Sequence, residues 1–391
     1  MHRSAMHRSA TPDVVVVGAG MVGAACAEAL TAAGVQVLVI DRDGPAAGTT
    51  AAGEGNVLVS DKEPGPELDL AIASRSEWDA VRGRLPERVA DVEWEAKGGV
   101  VVATGDPEPL TAFAVKQREA GVDARVITPA EVFELEPLLT PRVTIGVHYP
   151  EDAQVQPVLA ATALLAAVRE RGGEVRSGVT ALGVRQSGGR VVGVDTSDGD
   201  IACGAVLNAC GPWSGAFSAA AGARIEVLPR RGMILVTAPL PECVRHKVYD
   251  ADYVGAVGSG DAELQTSTVV ESTRAGTVLI GSSRERIGFD DTVRVQVLRE
   301  LARKAVGLFP FLGDVPVLRA YGGFRPYAPD HLPVIGPDPR LLGLWHATGH
   351  EGAGIGLAPA TGRLITEQFL GLTPQLDPTP FRVDRRAVIA A

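Results

Sequence analysis

The clearest chemistry in this chain lies in three glycines and one acid. Gly18, Gly20 and Gly23 stand in GAGMVG, and Asp41 follows about 20 residues on, the spacing of a dinucleotide-binding turn and its ribose-binding carboxylate. Gly18 permits the tight turn, Gly20 lets backbone approach a pyrophosphate, and Gly23 lets the following helix pack against the preceding strand. Ala19, Met21 and Val22 complete the turn and Arg42 follows the acid, so all four belong to the same candidate cofactor site. A second group follows: Thr49, Thr50, Gly53, Glu54, Gly55 and Asn56 crowd small and hydroxyl-bearing residues into one loop. Such a loop lets backbone and hydroxyl donors come close to a flat ligand or a phosphate.

These groups need elements to hold them. Four valines at 14–17 read as a strand buried on both faces of a parallel sheet. Residues 24–33 read as a helix that Gly34 ends, and the β-branched run 35–40 delivers Asp41. Helices are expected at 67–81, 112–121, 157–172 and 290–307, with Thr128 as N-cap of a short helix reaching 135. Strands are expected at 126–127, 146–149, 174–184, 190–195, 201–209, 228–237, 249–255, 264–270 and 277–282. A hairpin is expected over 92–104, with its turn at Gly98 and Gly99. Near the end, the run 341–371 reads as a strand, a glycine-rich turn and a C-terminal helix.

The chain has 391 residues, enough for two domains. With 46% hydrophobic and 21% charged residues it has the composition of a soluble globular enzyme. A net charge of −10 argues against nucleic acid or an anionic membrane as partner. Seven histidines and four cysteines show no metal-ligand spacing, so no metal is expected, and the cysteines fit a reducing cytoplasm. The first ten residues repeat MHRSA twice, carry no signal-peptide pattern and are expected to be disordered. No apolar run reads as a transmembrane segment, and a cytoplasmic location is expected.

Three separated motifs, GAGMVG with Asp41, LNACGPWSG, and GHEGAGIGLAPATGRLI with GGFRP shortly before it, together resemble the D-amino-acid oxidase-like flavoproteins. That family includes glycine oxidase, sarcosine oxidase and the flavin subunits of opine and hydroxyproline dehydrogenases. The resemblance implies an α/β fold in which a Rossmann-like FAD-binding domain is interrupted by a mainly antiparallel substrate domain. The FAD domain is then expected at 11–84, 153–216 and 322–375, the substrate domain at 85–152 and 217–321, and a tail at 376–391. It implies FAD rather than NAD, with Val179 against the adenine and Cys210, Gly211 and Trp213 along the cofactor. The turn containing Gly349, Gly352, Ala353, Gly354 and Ile355 would direct helix N–H groups at the flavin, where the reduced ring carries negative charge.

The implied reaction is hydride transfer from an amine-bearing carbon to flavin N5, leaving an imine that water hydrolyses. Arg325 in GGFRP matches the family's carboxylate-binding arginine, whose planar fork holds both oxygens. Gly322 and Gly323 would let its strand run close to the flavin. Tyr321, Tyr253 and Tyr249 are candidates to wall or hydrogen-bond the substrate. His350 could touch the ring's reactive edge, and Glu54 could face the flavin or meet an amine. Arg230 and Arg231 read as a solvated or interdomain pair. No cysteine lies between Phe309 and Glu351, so FAD is expected to bind noncovalently. The substrate would be an amino acid or amine, and the electrons would pass to oxygen or to an accepting partner subunit. The rival readings are a 2-hydroxy-acid or glycerol-phosphate oxidoreductase, or a flavin subunit inactive alone.

Overall fold

The structure is a computed structural model that describes residues 11–251 and 259–389. Its six-stranded sheet runs in the order Val334–Pro337, Leu344–Thr348, Ala205–Asn208, Val14–Val17, Val37–Asp41, Glu174–Ser177. The first two strands pair antiparallel and every other pair is parallel. The four valines lie at its centre, and their alternation feeds two cores: Val14 and Val16 pack on one side, Val15 and Val17 on the other. Helices Met21–Ala32, Pro157–Glu170 and Gly354–Phe369 pack on the first side. The first and last of these approach so closely that a Cβ on Gly362 would lie 2.6 Å from Ala25 O.

On the second side lies a three-stranded antiparallel meander, Ala181–Ser187, Arg190–Thr196 and Gly199–Ala202. It corrects two expected strands. The run 174–184 divides at Gly178, whose φ of +74° turns the chain out of the six-stranded sheet, and the run 201–209 divides at Cys203 and Gly204. In both cases an apolar run continues across a change of sheet, which periodicity alone does not reveal.

The second sheet has eight strands in the order Val317–Tyr327, Leu228–Thr237, Val278–Arg284, Gln265–Ser272, Lys247–Asp250, Gly99–Ala103, Ile145–Tyr149, Arg125–Ile127. It is antiparallel except where Lys247–Asp250 meets Gly99–Ala103. The expected hairpin over 92–104 is therefore corrected: only Gly99–Ala103 is a strand there, and Glu95 makes a single bridge to Gln154. Glu93, at φ +52°, interrupts extended backbone before the proposed turn. Helix Val295–Leu308 covers one face of this sheet through Val297, Leu301, Ala305 and Leu308. It starts five residues later than expected, because Asp290 closes a turn on Thr292 and pairs with Arg294. Thr128 does form a capping box with Glu131. Among the described residues no helix is long and apolar enough to cross a membrane.

Candidate active site

A cavity of about 470 Å³ opens between the two sheets. Its floor at one end is the glycine turn. Gly18, at φ +114°, sits where any side chain would overlap Ala209 O, so the turn can close only with glycine there. The Asp41 carboxylate locks it: Ala19 N donates to Oδ2 at 2.8 Å, and the N–H groups of Asp43 and Gly44 donate to Oδ1 at 2.9 and 3.1 Å. The two oxygens keep further lone pairs, and Asp41 still lines the cavity. Gly20 caps helix Met21–Ala32 without a side chain. Thr50 fills part of that role from the next loop, its Oγ1 accepting from Met21 N at 2.9 Å.

The loop 49–56 joins the two sheets. Thr49 Oγ1 donates to Phe324 O at 2.6 Å, and Gly323 has no room for a Cβ beneath Ala52. The glycine at 323 thus admits this loop onto the strand. Gly55 takes φ +98° with its Cα against Val155 O, where a Cβ would overlap.

At the far end, helix Gly354–Phe369 begins at Ala353 with no side-chain cap. Its first-turn N–H groups and positive dipole end border the cavity at Gly352, Gly354 and Ile355. His350 is buried beside them. Thr361 Oγ1 donates to Leu357 O, so at 2.9 Å from His350 Nε2 it accepts, which assigns the imidazole proton to Nε2. Nδ1 has no hydrogen-bond partner among the described residues, and burial pushes the imidazole down to about 3. The ring is a neutral strut for the helix start.

Arg325 projects from strand Val317–Tyr327 into the same cavity. Its guanidinium lies over Gly232 of the neighbouring strand, on space a Cβ would occupy, and Nη1 donates to Ser283 O at 2.8 Å. Beside it the solvated alternative for Arg230 and Arg231 is corrected, for both are buried. Arg230 stands directly across the ladder from Arg325. It donates to Glu351 Oε2 at 3.1 Å, to Ser259 O at 2.8 Å and to Gln265 Oε1 at 3.3 Å. Burial lowers its pKa and Glu351 opposes that shift. Glu351 also meets His331 Nδ1 at 2.8 Å, and its backbone takes φ +45° to direct the carboxylate this way.

The family profile described as "DAO: FAD dependent oxidoreductase" matches residues 13–368. The chain belongs to this family of FAD-dependent oxidoreductases. It is 30% identical over 374 residues to a glycine oxidase of Pseudomonas aeruginosa, covering 94% of this chain and 97% of that one. It is also 30% identical over 369 residues to the bifunctional protein ThiO/ThiG of Trichormus variabilis, covering 91% of this chain. The chain spans about half (52%) of that longer relative. A crystal structure of glycine oxidase from Geobacillus kaustophilus superposes with a TM-score of 0.88 at 25% identity, over 97% of this chain and all (100%) of that one.

The cofactor is therefore FAD, and the residues present suit it. One continuous cavity carries two helix N-termini without side-chain caps at its ends, which are donor sets for a pyrophosphate and for an anionic ring edge. Of the residues singled out from sequence, the cavity gathers Gly18, Gly20, Met21, Val22, Asp41, Arg42, Thr49, Thr50, Gly53, Glu54, Gly55, Asn56, Val179, Cys210, Gly211, Trp213, Arg325, His350, Gly352, Gly354 and Ile355. Five others stand behind it. Ala19 and Gly23 shape the turn, Gly349 packs near Ala328 and Pro333, Ala353 borders a separate small cleft, and Tyr321 packs on Ile234, Val236 and Leu279. Tyr249 is a buried core residue and does not line the cavity. Tyr253 lies outside the described residues.

Two features escaped the sequence reading. Trp213 is sandwiched between the Arg42 guanidinium, 4.1 Å from the ring centroid, and Phe289, stacked at 5.4 Å. Asp61 and Lys62 form a buried ion pair at 2.5 Å behind the 352–357 turn. Glu67 is held up near 7 by burial, with Lys62 and His331 pulling the other way. In sequence, SDKEPG has the composition of a solvated loop, and only the packing against the helix start shows otherwise.

Proposed function

We propose that this enzyme oxidises the C–N bond of a small amino acid or N-alkyl amino acid, the resulting imine being hydrolysed by water. The observation that carries the reading is Arg325. Its planar guanidinium is immobilised over Gly232 and by Ser283 O in the cavity that also holds the glycine turn and the uncapped helix start. A fixed fork of this kind grips a carboxylate through two parallel hydrogen bonds and leaves the neighbouring carbon no freedom to turn away. Bound FAD supplies the hydride acceptor. The chain's own residues do the rest: the helix start at Gly354 offers N–H groups to negative charge, and neutral His350 adds no competing titration. Trp213 and Phe324 line the cavity, and Phe289 stacks on the first and meets the second edge-on.

Noncovalent attachment is part of the proposal. Cys210 lines the cavity, but burial pushes its thiol up to about 12, so little nucleophilic thiolate is present at neutral pH. Electrons leave to oxygen or to an accepting partner subunit.

The test is the visible spectrum of the holoenzyme, recorded anaerobically while glycine, sarcosine, D-proline, D-hydroxyproline and an opine are added in turn. One of them should bleach the flavin band, and readmitted air should restore it if oxygen is the acceptor. In Arg325→Lys the concentration needed for half-maximal bleaching should rise about tenfold to a hundredfold, the worth of a charge-assisted fork. Bleaching by a 2-hydroxy acid or glycerol phosphate and by no amine would reverse the proposal.

A further inference from the structure

Glu54 is 8% exposed, and it lines the cavity that holds Arg325. Its Oε2 accepts from Asn56 Nδ2 at 3.2 Å, whereas Oε1 is fully buried and meets no hydrogen-bond donor among the described residues. The other end of the Asn56 amide is engaged too: Lys247 Nζ donates to Asn56 Oδ1 and pairs with Glu271 Oε2 at 3.1 Å. The amide orientation is thereby set from both sides, and it relays the lysine's pull to only one oxygen of Glu54. Glu271 and Lys247 are both buried and offset each other in charge. Glu54 adds a carboxylate that this pair does not neutralise. A buried carboxylate oxygen left in that condition is costly unless a cation arrives from outside the fold.

The position of that oxygen says what would arrive. Oε1 lies over Gly281, in space a Cβ there would need. Arg325 donates to Ser283 O, two residues along the same strand, Val278–Arg284. The two anchor points, Gly281 and Ser283, thus lie two residues apart on one strand. One cavity is thus lined by a cation and a carboxylate anchored close together on one strand, a pairing suited to a small zwitterion.

We propose that Glu54 is a specificity-determining residue whose carboxylate, turned from its seat against Gly281 towards the cavity, receives the substrate's cationic nitrogen while Arg325 holds its carboxylate. The site then selects substrates bearing positive charge beside the carboxylate, and it disfavours 2-hydroxy acids, which leave Glu54 unpaired. This inference rests on the carboxylate-clamp role proposed above for Arg325.

The experiment uses two ligands that differ in charge and hardly in shape, dimethylsulfonioacetate and 3-methylbutanoate. Neither carries an N–H bond, so neither can be turned into an imine, and binding to oxidised holoenzyme is read from the shift of the flavin spectrum. Wild type should bind the sulfonium at least about tenfold more tightly, the low end of what a close pair of opposite charges contributes. Glu54→Gln should remove that preference while keeping its FAD and its affinity for 3-methylbutanoate. Should Glu54→Gln fail to retain FAD, Gly281→Ala provides the same comparison, since its methyl displaces the carboxylate, and the preference must fall there. Equal affinities in wild type, or a preference that survives these substitutions, would overturn the proposal. Arg325→Lys separates the two ideas. It should weaken both ligands alike, and if it weakens neither, the clamp role fails while the charge preference is judged by Glu54→Gln alone.

Discussion

Acidification should destabilise this protein through His350 in a way that can be isolated. The folded state holds the imidazole neutral, its pKa pushed down from 6.5 to about 3 by burial, with Nε2 bonded to Thr361 and Nδ1 sealed from water. The unfolded chain takes up a proton near 6.5 and the folded one does not. Stability from this group is therefore fully present above 6.5, and it is lost as pH falls towards 3. At pH 5 the difference of 1.5 units amounts to about 2 kcal/mol. A chain of 391 residues unfolds with about 0.8 kcal/mol/K of entropy, which converts this into roughly 2–3 °C of Tm. Other groups titrate in the same range, so the assay compares wild type with His350→Gln, which keeps a donor towards Thr361 and has nothing to protonate. Thermal or urea unfolding of the holoenzymes at pH 8 and pH 5 should show wild type losing about 2 kcal/mol more than the variant. If both lose the same within about 0.5 kcal/mol, the imidazole is not held neutral by burial and the reasoning fails.

Two further outcomes are expected. Gly55→Ala places a methyl at φ +98° against Val155 O, and it should lower stability by about 2–4 kcal/mol with loss of FAD during gel filtration; unchanged Tm and flavin content would contradict that. Glu351→Ala leaves Arg230 buried without its carboxylate and should cost about 3–5 kcal/mol in denaturant unfolding, whereas Arg230→Met combined with Glu351→Met should recover much of it. If the double variant is as unstable as the single one, the pair is a stabilising unit rather than a mutual charge balance.

Much of the cofactor half of the site was legible because its signals are local. A strand, a turn and a helix that follow one another within 30 residues carry their own pattern: burial of Val14–Val17 on both faces, a positive φ at Gly18, and Asp41 returning to the turn. The GGFRP arginine was legible too, through its place beside the last glycine-rich motif. The strand breaks at Gly178 and Gly204 were not, since the apolar run continues while the sheet it joins changes.

What tertiary structure alone decided was the state of the charged side chains. Arg230 and Arg231 look like surface residues in LPRRGM, yet a carboxylate from the turn 121 residues further on buries the first of them. Lys62 pairs inside a loop whose composition suits solvent, and Glu54 faces a cavity with its nearest charged neighbours on strands far along the chain. Backbone geometry and amphipathic period are written in neighbouring residues and need only the local chain to express them. The environment of a charge depends on what lies within a few ångströms in space, so which ions are buried, paired or left facing the cavity emerges only when distant segments have packed.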